Sequence, residues 1–249
     1  MPDERSWDAN PPNTILAEDE VHVWRAYLNC DAAILQRLEA TLAPDEKSRA
    51  DRFRFQRDRD AFVATRGILR ELLGKYTGRA PAELEFEYGE RGKPSLRGDD
   101  GRKFQFNLSR SRGLAMYAFA VGRALGIDVE KVRGDLAAKK IAARFFGRDE
   151  VEELRGLPPS LTAEGFFLCW TRKEAYVKAR GEGLRIPLNS FRVSLTPGQP
   201  ERIECEDGDR WSLYSFAPDP QYAGALVAEG KNLRVRFFDA TPQNFPEAK

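Results

Sequence analysis

Two acidic residues stand one position apart in a strand-like segment of the chain. In the segment 126–130, Gly-Ile-Asp-Val-Glu, the apolar residues alternate with Asp128 and Glu130. On a strand, this alternation places both carboxylates on one face, about 7 Å apart. Carboxylates so placed repel each other unless a cation or proton intervenes, and Mg²⁺ accepts such oxygen ligands together with substrate phosphates. A solvated strand face is the more ordinary explanation of such a pair, so the pair alone does not establish a metal site.

A helical segment carries a second set of chemically useful side chains. Trp170, Glu174 and Lys178 recur every four residues, which places them on one ridge of a helix. One interpretation is a stabilising Glu–Lys pair beside a core tryptophan. The other is that Glu174 supplies a third carboxylate or accepts a proton, while Lys178 neutralises a phosphate oxygen one turn along.

Two turn segments collect groups that bind anions. The segment 106–113, Phe-Asn-Leu-Ser-Arg-Ser-Arg-Gly, gathers hydroxyls, turn N–H groups and two guanidiniums. The segment 90–94, Glu-Arg-Gly-Lys-Pro, combines two cations with a glycine that permits close backbone approach. Ordinary polar turns account for each segment taken singly.

The elements that must position these residues follow from periodicity. Alternation predicts a strand over 21–28, one short strand within 84–96, and a three-strand meander over 103–132. Helical spacing predicts helices over 31–42, from Pro44 as one long helical region, and over 135–155 and 164–180. Four further strand-like pieces complete the chain. Helices and strands without a βαβ rhythm predict an α+β protein whose two similarly sized halves meet near residue 125.

Chain length, net charge and residue composition exclude several classes of function. The chain has 249 residues, a formal net charge of +1 and 41% hydrophobic residues, which suits a globular protein. Near-neutral charge argues against whole-protein attraction to nucleic acid or anionic membrane. No stretch approaches the ~20 apolar residues of a membrane span, and no secretory signal is visible, so the predicted location is the cytoplasm. With one histidine and three scattered cysteines, the predicted chemistry uses carboxylates, lysines, arginines and a hard metal.

The order of these motifs is more specific than any one of them. R-G-K-P, F-N-L-S-R-S, G-I-D-V-E and W-x-x-K-E-A-x-x-K follow one another along the chain. In this order the sequence resembles the 4′-phosphopantetheinyl transferases of the surfactin-synthetase-activating type, over roughly residues 44–195. The resemblance implies transfer of the phosphopantetheine arm of coenzyme A to a serine of an apo acyl or peptidyl carrier protein, with release of 3′,5′-ADP.

The resemblance also implies a role for each matching residue. Asp128, Glu130 and Glu174 are the expected ligands of Mg²⁺, with Mn²⁺ an alternative. Glu174 is the expected base, and Glu130 and Lys178 are the other expected catalytic residues. Coenzyme A is expected to contact the following residues: Arg49, Arg91, Gly92, Lys93, Asn107, Ser109, Arg110 and Lys178.

The fold implied by the resemblance has two similar α/β-sandwich-like halves related by a pseudo-twofold axis, with the active site in the cleft between them. The expected division is a flexible N-terminal arm over 1–14, an N-terminal half over 15–125, a C-terminal half carrying the metal site over 126–240, and a tail over 241–249. A monomer is expected, with a carrier protein and coenzyme A as partners and neither nucleic acid nor membrane.

One position departs from the family pattern. The family usually has F-N-x-S-H-S, in which the histidine holds the 3′-phosphate of coenzyme A, whereas Arg110 stands here in place of the histidine. Arginine is always charged and can bind phosphate bidentately. We therefore expect the substitution to change the affinity for coenzyme A more than the chemical step. Two other functions stay open: a non-catalytic coenzyme A or carrier-protein binding module of the same fold, and another Mg²⁺-dependent phosphoryl-group enzyme such as a nuclease or phosphatase.

Overall fold

The structure is a computed structural model of the chain. It describes residues 7–8, 15–89, 92–98, 104–134, 137–182 and 185–241. The prediction for Arg91, most of the predicted arm and nearly all of the predicted tail lie outside the described residues.

The first part of the chain forms a sheet with helices on one face. Its elements are β1 (Glu20–Tyr27), α1 (Ala32–Ala40), α2 (Pro44–Ala50), α3 (Gln56–Thr77), β2 (Phe86–Tyr88), β3 (Pro94–Leu96), β4 (Phe104–Ser111) and β5 (Leu114–Val121). Apolar residues recurring along α3 pack on the face of the sheet that carries Trp24, Tyr117 and Phe119. Burial of this stripe is what holds α3 on the sheet.

The second part repeats that plan. Its elements are β6 (Leu125–Lys131), α4 (Ala138–Phe145), α5 (Arg148–Gly156), α6 (Pro159–Arg180), β7 (Arg192–Val193), β8 (Ile203–Glu204), β9 (Trp211–Phe216), β10 (Tyr222–Glu229) and β11 (Arg234–Asp239). The helix α6 packs on the sheet β6-β10-β9, against residues such as Ala225 and Val227.

The two sheets pack on each other through a third apolar cluster. Val21, Val23 and Met116 of the four-stranded sheet form one buried cluster with Ile127 and Leu226 of the three-stranded sheet. The layer order is therefore helix, sheet, sheet, helix, which confirms the predicted α+β class with two halves. The last strand crosses back: β11 pairs in parallel with β1, giving the sheet order β11-β1-β5-β4.

Three local predictions are wrong. The meander does not form, because β6 leaves β5 at the Gly122 turn (φ 67°) and pairs with β10 in the other sheet. The helical region from Pro44 is broken between Ala50 and Gln56, where the turn brings the Phe53 ring to 5.4 Å from that of Phe62. The single strand expected within 84–96 is the hairpin β2-β3.

At the N-terminus, the two described residues of the predicted arm are docked. Trp7 packs edge-on against Phe237, with ring centroids 5.1 Å apart, and Asp8 N donates to Phe237 O at 3.0 Å. Among the described residues, no helix is long and apolar enough to cross a membrane.

Candidate active site

A cleft of about 460 Å³ lies between the two halves. Its walls come from α2, α3, the β2-β3 hairpin and β4 on one side, and from α6 on the other. Most predicted site residues meet here, as expected for a site between halves. Those that line the cleft are Arg49, Gly92, Lys93, Asn107, Arg110, Glu174 and Lys178.

The N-terminal wall of the cleft is basic and partly aromatic. Arg49, Arg66 and Arg110 line it together with the rings of Phe62 and Tyr88. Within the part of the chain that the structure describes, Arg49 and Arg110 form no ion pair. Cationic groups that have no carboxylate partner are available to an anionic ligand, and flat rings suit an aromatic base.

The sequence alone assigns no role in the site to Arg66. The structure instead buries Glu46 between Arg66 and Arg70, and Arg70 Nε donates to Glu46 Oε2 at 2.6 Å. Arg66 also donates to the Tyr88 hydroxyl at 3.3 Å. The sequence does contain a signal for this buried ion pair. Arg66 and Arg70 are one helical turn apart, and the residues around them on α3 are mostly apolar.

Lys93 lines the cleft, but its ammonium is engaged elsewhere. Nζ donates to the backbone oxygens of Leu125 (3.2 Å) and Lys178 (3.0 Å), which belong to the other half. Burial lowers the pKa of Lys93. These hydrogen bonds connect the β2-β3 hairpin to β6 and to the C-terminal end of α6.

A close approach between β6 and α6 positions the acidic residues. A Cβ added at Gly126 would lie 2.2 Å from Ala175 O and 2.3 Å from Ala179 N, so only glycine fits there. This contact sets the strand that carries Asp128 and Glu130 against the helix that carries Glu174 and Lys178. The glycine of G-I-D-V-E thus serves packing.

Lys178 is the cation at the centre of the acidic group. Its Nζ lies 2.7 Å from Asp128 Oδ1, 3.0 Å from Ser109 Oγ and 3.1 Å from Ile127 O. Three described residues of the predicted site do not line the cleft: Ser109, Asp128 and Glu130. Ser109 and Asp128 contact Lys178, which does line it. Lys178 therefore connects the cleft to the carboxylates.

The two glutamates are less acidic than ordinary glutamates. Burial raises the pKa of Glu130, and Asp128 raises it further against the opposing effects of the Ser111 hydrogen bond and Lys178. Burial likewise raises the pKa of Glu174, again with a further contribution from the negative charge of Asp128. The negative charge of Asp128 therefore opposes ionisation of both glutamates.

The acidic group suits a hard divalent cation in its chemistry. Asp128 Oδ2 is buried without a hydrogen-bond partner, and the carboxylates of Glu130 and Glu174 supply further oxygens of the type that Mg²⁺ and Mn²⁺ prefer. As the side chains stand, no three His, Cys, Asp or Glu residues in the described ranges form a ready metal-binding group. The donor set therefore fits a metal ion, although the side chains are not arranged around one point.

The remaining residues of the helical motif are structural. Trp170 stacks on Phe166 at 6.0 Å, inside an aromatic cluster rather than in the cleft. Lys173, which the sequence analysis did not single out, is fully buried and lies 2.8 Å from Glu150 Oε1. Its Nζ also donates to Leu188 O at 2.7 Å. The buried pair fixes the face of α6 next to Glu174.

Comparison with known proteins places the chain in a family. A model described as the 4′-phosphopantetheinyl transferase superfamily matches residues 124–227, and one described as 4′-phosphopantetheinyl transferase, N-terminal, matches residues 29–121. The 4′-phosphopantetheinyl transferase HetI of Nostoc sp. is 40% identical over 240 residues, covering 94% of this chain and 98% of HetI. The 4′-phosphopantetheinyl transferase Sfp of Bacillus subtilis is 27% identical over 194 residues, covering 78% of this chain and 84% of Sfp.

Two solved structures are also similar over part of the chain. The holo-[acyl-carrier-protein] synthase of Thermotoga maritima is 23% identical with a TM-score of 0.36, covering 44% of this chain and 64% of the synthase. The corresponding synthase of Bacillus anthracis, in complex with CoA (3′,5′-ADP), is 21% identical with a TM-score of 0.36, covering 43% of this chain and 94% of the synthase. On the two family models and the near-complete match to HetI, the chain belongs to the 4′-phosphopantetheinyl transferase superfamily.

Proposed function

We propose that this chain transfers the 4′-phosphopantetheine arm of coenzyme A to a serine hydroxyl of an apo acyl or peptidyl carrier protein and releases 3′,5′-ADP. The observation that carries the proposal is the placement of Glu174 and Lys178. Both line a basic cleft, and Lys178 at the same time contacts Asp128 among the carboxylates. A phosphate-bearing ligand in the cleft would thus meet the acidic group directly.

Binding of coenzyme A would use the basic wall. Arg49 and Arg110 are the cations available to phosphate groups, and Arg66 lines the cleft together with Phe62 and Tyr88. Arginine can bond phosphate bidentately, so Arg110 can take the role expected of the family histidine. The rings offer apolar surface to the adenine base.

Asp128, Glu130 and Glu174 would hold Mg²⁺ or Mn²⁺, which when bound supplies Lewis-acid polarisation of phosphate oxygens. Glu174 would accept the proton of the attacking serine hydroxyl.

In that reaction the serine oxygen forms a bond to the phosphorus that carries pantetheine. The bond from that phosphorus to the bridging oxygen breaks, and the bridging oxygen leaves with 3′,5′-ADP. Lys178 would neutralise the negative charge that develops on the phosphate oxygens as the bond breaks. All of the proposed groups come from one chain, which supports a monomeric enzyme. We also propose that the enzyme acts in the cytoplasm.

A non-catalytic binding module is the alternative from a different class. It would need the basic cleft but not the acidic group, whose burial raises the pKa of two glutamates and therefore destabilises their ionised forms. Retention of three carboxylates at that cost supports an enzyme. The near-neutral net charge also counts against a nuclease.

Intact-mass spectrometry of an apo carrier protein tests the proposal. We expect a mass gain of one phosphopantetheine group with the wild-type chain, coenzyme A and Mg²⁺, and no gain with EDTA or with Glu174→Gln. Glu152→Gln is the matched control, because Glu152 is an exposed helical glutamate paired with Arg148. No gain with several carrier types, while coenzyme A still binds, would support the binding module.

A further inference from the structure

The two halves are joined along β4 and β6 by side chains. β4 is an edge of the four-stranded sheet and β6 an edge of the three-stranded sheet, and the described residues show no backbone ladder between them. Instead, Asn107 Oδ1 accepts a hydrogen bond from Ile127 N at 2.9 Å, and Ser111 Oγ accepts one from Lys131 N at 3.2 Å. The two hydrogen-bonded pairs are each 20 residues apart in sequence. Because this offset stays constant from one pair to the next, β4 and β6 run in the same direction with a fixed register.

The same register matches two serines to two carboxylates. Ser109 Oγ donates to Asp128 Oδ1 at 2.7 Å, and two residues further along each strand Ser111 Oγ donates to Glu130 Oε2 at 2.7 Å. Ser109 also accepts from Lys178. The carboxylates of one half are therefore oriented by hydroxyl groups of the other half.

Ser111 has the simpler set of contacts. Its hydroxyl has one hydrogen, and the Lys131 N–H occupies a lone pair, so the hydrogen is directed to Glu130. Ser111 is not among the residues that line the cleft within the described part of the chain. Among the described residues, the one side chain that hydrogen-bonds to Ser111 is that of Glu130, and this separates Ser111 from residues that line the cleft.

We propose that Ser111 is a positioning residue that fixes the Glu130 carboxylate for metal binding from the opposite half of the molecule. This inference rests on the proposed function, because it assumes that Glu130 holds the metal ion. Outer hydrogen-bond partners of metal ligands typically change metal affinity by 10–100-fold when removed. Ser111→Ala should therefore weaken metal binding while leaving the cleft that receives coenzyme A intact.

The test measures Mn²⁺ binding to the full chain by electron paramagnetic resonance, with saturating coenzyme A. We expect Ser111→Ala to raise the Kd for Mn²⁺ roughly tenfold, and Ser111→Thr, which keeps the hydroxyl, to restore most of the affinity. Ser212→Ala is the matched control, since Ser212 is a half-buried strand serine that donates to Gly230 O at 2.6 Å. Its Kd should equal that of the wild type, with a similar change in melting temperature.

Steady-state kinetics give a second readout. Ser111→Ala should need roughly tenfold more Mg²⁺ for half-maximal transfer at an unchanged KM for coenzyme A. An unchanged Kd for Mn²⁺ in Ser111→Ala, or an equal loss in Ser212→Ala, overturns the positioning role while wild-type transfer still stands. A wild-type chain that neither binds Mn²⁺ nor transfers the group overturns the proposed function itself.

Discussion

His22 gives the most quantitative prediction, because it is the only histidine of the chain and is buried on β1. Its Nδ1 lies 2.8 Å from the Tyr76 hydroxyl, and its ring packs edge-on against Phe238 with centroids 5.0 Å apart. Burial lowers the pKa of His22 from 6.5 to about 4, although Glu20 acts in the opposite direction. The folded protein therefore holds a neutral imidazole at neutral pH.

The difference in pKa makes stability depend on pH. Between about pH 6.5 and pH 4 the unfolded chain binds a proton at His22 and the folded chain does not, so stability is full above this window and falls as pH decreases. The whole difference corresponds to about 3 kcal/mol, of which about 2 kcal/mol is lost by pH 5. For a chain of this size, that loss lowers the melting temperature by roughly 4–8 °C.

The assay compares the wild type with His22→Gln. In the wild type, the imidazole C–H resonances in proton NMR should titrate near pH 4, and thermal melting at pH 5 and pH 8 should show the extra loss relative to the variant. Subtracting the variant removes the contribution of the carboxylates common to both proteins. An imidazole that titrates near pH 6.5, or equal pH dependence in the two proteins, would refute the reasoning.

Three further predictions concern charges. Lys173→Met should destabilise the fold by about 3–5 kcal/mol, because it leaves the buried Glu150 carboxylate unpaired; in chemical denaturation, Lys173→Met/Glu150→Gln should recover most of the loss, and no recovery would show that the pair is not the cause. Glu174→Gln should raise the melting temperature of the metal-free protein at pH 8, where the raised pKa makes the ionised form of Glu174 costly, and the gain should vanish at acidic pH; an equal gain at both pH values would contradict this cause. Arg110→Ala should raise the KM for coenzyme A roughly tenfold with kcat within about threefold; an unchanged KM would exclude a phosphate contact.

Local patterns in the sequence were enough to place the polar faces correctly. Alternation along 103–109 puts Asn107 and Ser109 on the face opposite Phe106, and the structure has Phe106 in the core and both polar residues turned toward β6. The ridge of α6 likewise follows from four-residue spacing. These features depend on neighbours along one element, which is the information that periodicity contains.

Long-range pairing could not be predicted in the same way. Nothing local distinguishes β6 as a partner of β5 from β6 as a partner of β10, because alternation specifies faces but not neighbouring strands. The buried partners of Glu46 and Lys173 are also distant in sequence, so the spacing of charged residues along one helix does not indicate them. The resemblance implies a coenzyme A contact for Lys93, and the additional hydrogen bonds from its ammonium to the Leu125 and Lys178 carbonyls join distant segments that no local pattern indicates.

The central claim is that the carboxylates beside the basic cleft carry out group transfer, and stoichiometry of the products tests it most directly. Coenzyme A, Mg²⁺ and an apo carrier protein are incubated with the chain, and 3′,5′-ADP and modified carrier are quantified together. We predict equal amounts of both products, and none when the carrier is omitted. Phosphate or nucleotide released without carrier modification would contradict the account and indicate a hydrolase.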